Sequence, residues 1–231
     1  RSNGKWNYPS GEWRENNFDE RQISQLLSIG TLGLKKNRKL VPTRFSITAT
    51  DDILGKNLIE NIKDYRLIED YEMYYDYYLG NYYIILLFPE IFSYELFETY
   101  LPSTFTSVPS TSTDYEDVFG RKTYASNTVG GYYAARIPIL QNLNTRKKQA
   151  AVLVLRFITD EYHTPLGVFV CREASKKSIN SNPIKFQTRE NLLNAAKQFI
   201  SEKFKYDIDL LYQKSKLIKN IKTQSKLTKF F

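Results

Sequence analysis

The sequence predicts an α+β fold: a mixed or mainly antiparallel sheet with flanking helices, followed by a C-terminal basic helix and tail. Three observations predict it. Short β-rich runs interleave with segments of helical period. The stretch EMYYDYYLGNYYIILLFP has the two arms of a hairpin about a short glycine turn. The 231 residues, 42% apolar, are enough for a sizeable core, yet they hold no apolar run of the about 18 residues that a membrane helix needs.

The elements follow in order. Residues 1–20 are polar and turn-rich and are expected to be a lead-in. Residues 21–209 are expected to form the core domain, and 210–231 a basic helix and tail. A short amphipathic helix runs from about Glu20 to Ile29 and is closed by Gly30. RFSITAT (Arg44–Thr50) alternates Phe45, Ile47 and Ala49 against Ser46, Thr48 and Thr50, a half-buried strand. Asp51 or Asp52 then caps the helix ILGKNLIENIK. After the hairpin, SYELFETYL is expected to be a short helix capped by Ser93, and the Ser/Thr/Pro-rich PSTFTSVPSTSTDYED a long loop. GGYYAARIPILQNL is helix-like, with Pro138 kinking it or marking its first turn. RKKQAAVLVLRFI and PLGVFVCRE suit two strands joined by TDEYHT, with REASKKSI a short helix beyond. Thr188 caps RENLLNAAKQFISEKF, and IDLLYQKSKLIKNIK is the last helix, carrying Leu210, Leu211, Lys214, Leu217, Ile218 and Ile221 at helical spacing.

Composition limits the chemistry. One cysteine, Cys171, leaves no internal disulfide and no multi-cysteine zinc site; one histidine, His163, leaves no histidine-rich metal site. A Cys171/His163 nucleophilic pair competes with a plainer reading, in which Cys171 is an inert thiol in the apolar LGVFVC and His163 sits in the turn YHTP. No P-loop, GxSxG or HExxH pattern occurs. The net charge is +8, and it is unevenly placed: Leu210–Phe231 carries Lys214, Lys216, Lys219, Lys222, Lys226 and Lys229 and no acid, which leaves +2 for the rest. A single-sign segment of this kind attracts an anionic partner, DNA above all, or is a solvated helix face.

The segment QSKLTKFF poses the sharpest question. Gln224, Leu227, Phe230 and Phe231 fit Q-x-x-L-x-x-F-F, the pattern of clamp-binding PIP boxes that dock on the ring-shaped sliding clamp PCNA. One tight helical turn puts residues three and four apart on one side, so Leu227, Phe230 and Phe231 form a three-pronged apolar plug. Gln224, a turn earlier, offers both a donor and an acceptor. At this chain's residue usage, the pattern arises by chance at roughly one position in ten thousand. The alternative is that both rings tuck under the preceding helix.

With the tail in view, the body resembles the archaeal Nre family. The blocks KLVPTRFSITATDD (Lys39–Asp52), YYLGNYYIILLFP (Tyr77–Pro89), GGYYAARIPIL (Gly130–Leu140), RKKQAAVLVLRFI (Arg146–Ile158) and PLGVFVCREA (Pro165–Ala174) run in that family's order. Phe45 stands where the family's pattern has tryptophan, and Pro138 interrupts the GGYYAAR helix. The resemblance implies a DNA repair factor, recruited to DNA by PCNA through the tail, in a cytoplasmic, nucleoid-associated setting. It also implies a further amino-terminal region, consistent with a fragment or processed product that opens on Arg1.

Within these blocks, polar residues gather at expected strand ends: Thr43, Arg44, Ser46, Thr48, Asp51 and Asp52, then Arg136, Arg156, Arg172 and Glu173. Adjoining strands would bring guanidinium groups and acids into one cleft. There Arg136, Arg156 and Arg172 would bind anions, Arg44, Asp51 and Asp52 would be the catalytic candidates, and the paired acids would suit Mg²⁺; the plainer reading is that Asp51 and Asp52 cap a helix and the arginines make structural ion pairs. Asp114, Glu116, Asp117 and Arg121 in TDYEDVFGR add carboxylates or form a solvated loop. Two functions therefore stand open: a clamp-delivered repair factor with lysines that graze the duplex, and a nucleic-acid- or nucleotide-processing enzyme tethered by the same motif. A third is an interaction module whose hairpin tyrosines (Tyr74, Tyr75, Tyr77, Tyr78) form an interface.

Overall fold

A computed structural model describes residues 20–31, 39–102, 108–163 and 166–223. All but the last residue of the expected lead-in lies outside them. The chain divides into two compact units, residues 1–57 and 58–231.

In the smaller unit, α1 (Glu20–Ser28) ends as expected, with Gly30 at φ +66°. The amide N–H groups of Gly30 and Thr31 return to the carbonyls of Leu27 and Leu26. The next segment corrects the expected strand: Thr43–Ile62 is one twenty-residue helix, α2, entered through Pro42, with residues 43–57 in this unit. Its polar residues suit a helix because their hydroxyls bond back along it. Thr48 donates to the Arg44 carbonyl and Thr50 to that of Ser46, at 3.0 and 2.8 Å. Ser46 meets Ser24 and Ser28, one turn apart on α1, at 3.2 and 2.6 Å, which ties the two helices together through small hydroxyls.

The larger unit is built on a six-stranded sheet. Its strands are β2 (Tyr71–Tyr78), β3 (Asn81–Phe88), β4 (Tyr94–Tyr100), β5 (Ser110–Glu116), β7 (Ala151–Ile158) and β8 (Ile184–Phe186), in the order β5-β4-β7-β3-β2-β8. All neighbours are antiparallel except β4 and β7, so the sheet is mixed and open, as the α+β expectation has it. A two-residue ladder joins β1 (Arg66–Leu67) to β6 (Lys148–Gln149). The expected hairpin is β2–β3, turning on Leu79 and Gly80 with φ of 47° and 70°, the handedness that matches strand twist. A side chain at Gly80 would strike the backbone of Tyr162 at 2.6 Å.

Helices cover both faces. On one lie α3 (Val129–Arg146) and α4 (Val168–Ile179), over Tyr83, Ile85, Leu87, Leu96, Val152 and Val154. On the other lie α5 (Arg189–Phe204), α6 (Asp209–Lys214) and α7 (Lys216–Thr223), over Ile84, Leu86, Phe97, Leu153, Leu155 and Phe157. Thr188 caps α5 as expected, accepting the Asn191 N–H at 3.2 Å. Pro138 lies inside α3 rather than ending it, and Ser175 of α4 donates to the Ala135 carbonyl, three residues earlier, at 2.8 Å.

Four more expectations are corrected. SYELFETYL is the interior strand β4, next to the edge, not a helix, because both its faces are covered and no alternation survives. Part of the expected long loop is edge strand β5. PLGVFVCRE is no strand: it opens α4, whose buried Val170, Cys171, Ala174, Ser175 and Ser178 recur at helical spacing. The single last helix is two, α6 and α7, broken at Ser215.

Candidate functional site

The break at Ser215 builds the root of the basic segment. Glu95, on β4 and 1% exposed, reaches the start of α7. It accepts the Ser215 hydroxyl at 2.5 Å and the amide N–H groups of Lys216 and Leu217 at 3.0 Å each. The Ser215 Oγ in turn accepts the Ile218 N–H at 3.0 Å. A buried carboxylate thus satisfies the orphan donors of α7 and meets the positive end of its dipole. Burial pushes the Glu95 carboxyl up, against these hydrogen bonds and the Lys216 charge, which pull it down. Leu217 and Ile218 pack on the sheet, which turns Lys216, Lys219 and Lys222 to solvent; Lys214 is exposed at the end of α6. Lys226 and Lys229 lie outside the described residues, as do Gln224, Leu227, Phe230 and Phe231 of the clamp-binding pattern.

Arg44, Asp51 and Asp52 do not stand at strand ends. They lie along α2, which begins eight residues before Asp51, so neither aspartate caps it. Arg44 is exposed, with its guanidinium 4.6 Å from the Phe45 ring centre. Asp52 pairs with Lys56 at 2.6 Å, and Asp51 is buried. Among the described residues, no three or more His, Cys, Asp or Glu side chains are placed to hold a metal ion.

The arginines of the larger unit do gather, but inside it. Arg156 on β7 reaches Glu98, its partner across β4, at 2.5 Å. Its Nε and Nη2 donate to the Asn81 amide oxygen at 3.0 and 2.5 Å. Arg136 on α3, 1% exposed, gives Nη1 to both oxygens of Glu116 at 2.7 Å. Arg121 pairs with Asp114 at 3.2 Å. The other Asp114 oxygen accepts the N–H groups of Asn127 and Thr128 and the Thr128 hydroxyl, at the entrance to α3. There Val129 is held at φ +50°, a costly conformation for a β-branched residue. Gly131 follows because a side chain would strike Glu98 Oε1 at 2.6 Å. Arg172 and Glu173 are half-buried on α4.

This cluster is charged yet sealed. Burial pushes the Glu98 carboxyl up against the opposing pull of Arg156. Burial would lower Arg156, but Tyr83, Cys171 and Glu98 hold it above its usual value. The Tyr94 and Tyr132 hydroxyls are buried there and, among the described residues, have no hydrogen-bond partner. Cys171 lies against Gly131, and burial pushes its thiol up, the reverse of an activated thiolate. His163 is exposed in the turn after β7. Sequence reasoning missed Glu95, Glu98 and Asn81. The signal for Asp114 and Glu116 was their two-residue spacing in a strand of Ser and Thr, which puts both on one face.

The family model for the archaeal Nre N-terminal region matches residues 12–107, and that for the archaeal Nre C-terminal region matches residues 116–230. The chain is 37% identical over 188 residues to DNA repair protein NreA of Archaeoglobus fulgidus, covering 80% of this chain and 48% of that protein. It is 38% identical over 201 residues to DNA repair protein NreB of the same organism, covering 85% and 49%. With DNA repair protein NreA of Haloferax volcanii it shares 38% over 162 residues, covering 68% and 39%. The chain spans at most about half the length of these relatives, and no solved structure matches it. Two family models in tandem, over the blocks that build α2, the β2–β3 hairpin, α3, β7 and α4, make the chain a member of the archaeal Nre family.

Proposed function

We propose that this chain is a DNA repair factor recruited to DNA by the sliding clamp PCNA through Gln224, Leu227, Phe230 and Phe231, in a cytoplasmic, nucleoid-associated setting. The relatives' names support the repair role. The observation that carries recruitment is the Q-x-x-L-x-x-F-F spacing, which starts one residue after α7. The motif thus begins directly after a helix anchored through Glu95 to β4, the strand next to edge strand β5. Burying one leucine and two phenylalanines contributes about 6 kcal/mol gross, at roughly 2 kcal/mol each. Ordering the segment takes several kcal/mol back. With backbone pairing and lysine attraction added, the contact reaches about micromolar strength, about −8 kcal/mol, which suits a tether that works by effective concentration. Lys214, Lys216, Lys219, Lys222, Lys226 and Lys229 add salt-sensitive, sequence-blind attraction for the duplex that threads the ring.

The test is calorimetry with the clamp. Phe230→Ala with Phe231→Ala should abolish binding heat while the circular dichroism of the body stays unchanged. Binding that persists in the double variant refutes the recruitment reading. The processing-enzyme alternative rests on a strand-end cleft, and Arg44, Asp51 and Asp52 instead share one helix, while Arg136 and Arg156 are already engaged by Glu116 and Glu98.

A further inference from the structure

At one end of the sheet, on the face covered by α5, an aromatic row runs from the buried Phe157 out to the exposed Tyr77, with the half-buried Phe204 and Tyr206 beside it. Tyr77, Tyr82, Phe157 and Thr99 are successive partners across four strands. Tyr77, 46% exposed, stacks on Tyr82 at 5.0 Å. Phe204, at the end of α5, stacks on Phe157 at 4.8 Å and meets Tyr82 edge-on at 5.2 Å. Tyr206 meets Phe157 edge-on at 5.5 Å. Beside this row opens a cleft of about 480 Å³, lined by Phe204, Tyr206, Leu101, Pro102 and Pro109, with Lys203, Lys205, Thr159 and Asp160. That volume falls within the roughly 300–1,000 Å³ of small-ligand pockets.

The cations are placed, not merely present. The Lys203 ammonium lies 5.0 Å from the Tyr82 ring centre, 5.7 Å from Tyr75 and 5.9 Å from Phe204. Lys205 is held in the left-handed region at φ +53° where α5 ends. Among the described residues neither lysine is ion-paired. Aromatic rings fix an ammonium by their quadrupole without cancelling its charge. Lys177 stands 5.0 Å over Tyr77, though it is shared with Asp76 at 3.1 Å. Asp160 is the acid among the cleft's lining residues, and Glu161 accepts the Tyr82 hydroxyl at 3.4 Å.

We propose that this cleft binds single-stranded DNA, taking one splayed base against Phe204, Tyr206 and the two prolines while Lys203 and Lys205 hold the flanking phosphates. Flat apolar walls with fixed cations at the rim match the stacking-plus-charge recognition of unpaired strands. A duplex offers no base face to such a cleft. The choice of DNA over RNA rests on the repair reading; the site itself is independent of the clamp-binding tail.

The test uses the full chain and fluorescence anisotropy with a short labelled oligothymidine. Lys203→Ala with Lys205→Ala, both exposed, should weaken binding about fivefold or more, the loss expected when phosphate contacts are removed. Clamp binding should be unchanged. Photo-crosslinking with 4-thiothymidine in the strand should map to Phe204 or Tyr206, which tests the site without any substitution. Unchanged affinity in the double variant, equal affinity for an abasic strand of the same length, or crosslinks confined to other elements each overturn the proposal. So does thymidine monophosphate competing as well, mole for mole, as the oligomer, since the cleft would then be a mononucleotide site. The variant Phe230→Ala/Phe231→Ala should lose the clamp and keep oligothymidine, so failure here and failure of recruitment read out separately.

Discussion

The two faces of the sheet handle cations in opposite ways. Under α3 and α4, Arg136 and Arg156 are enclosed with Glu116, Glu98 and Asn81. On the face of α5 to α7, Lys203, Lys205, Lys216, Lys219 and Lys222 stand exposed, without ion pairs among the described residues. The chemistry of the head groups explains the split. A planar guanidinium is weakly hydrated and its fork matches carboxylates, so it survives burial; an ammonium is a strongly hydrated point charge. Under α3 and α4 the paired Arg136 and Arg156 mark where the fold is pinned, and on the other face these five lysines mark where an anion is free to arrive.

The largest effect that would break this comparison comes from Arg156→Ala. Removing it strands the buried Glu98, which should cost about 3–5 kcal/mol of stability. Differential scanning calorimetry reads that as a clear drop in Tm. A loss below about 1 kcal/mol, the scale of a surface pair, would mean the cluster is not structural. Glu95→Gln should cost about 1–3 kcal/mol, since an amide nitrogen would face donors at the head of α7. Its pH dependence has a definite sign. The folded carboxyl is raised above 4.5, so the folded state holds its proton more tightly than the unfolded chain. The carboxyl's contribution is therefore full below the unfolded value and falls as pH rises through the window up to the raised value. Urea titrations across that window should show the cost of Glu95→Gln shrinking with pH; a growing cost would mean that the cap bonds outweigh burial. The smallest effect is Thr188→Ala, a loss of one N-cap on α5 worth about 1 kcal/mol. Oligothymidine affinity should not change with it, which sharpens the claim that Lys203 and Lys205, not helix stability in general, matter at the other end of α5.

What the sequence disclosed follows the same division between surface and interior. The β2–β3 hairpin was legible because its turn chemistry is local, and α5 because Thr188 and a half-exposed helix leave a cap and a period to read. β4 was not legible. Between two covered faces it has no alternation, and Glu95 and Glu98 look like the outer residues of a helix when they are in fact buried acceptors. α2 was misjudged because alternating Ser, Thr and Ile mimic a strand until hydroxyl back-bonds make them compatible with a helix. The Arg136 and Arg156 partners are 20 and 58 residues away in sequence, and no local pattern announces such pairing.

Glu95 has a mechanical consequence. It joins β4 to the first turn of α7, so a pull applied beyond Thr223 would reach β4 through this eight-residue helix. β4 lies between two neighbours, bonded to β5 on one side and β7 on the other. Tension should therefore peel α7 from Glu95 before the strand shears. The hydrogen bonds at that carboxylate act as a fuse between the tether and the body it carries.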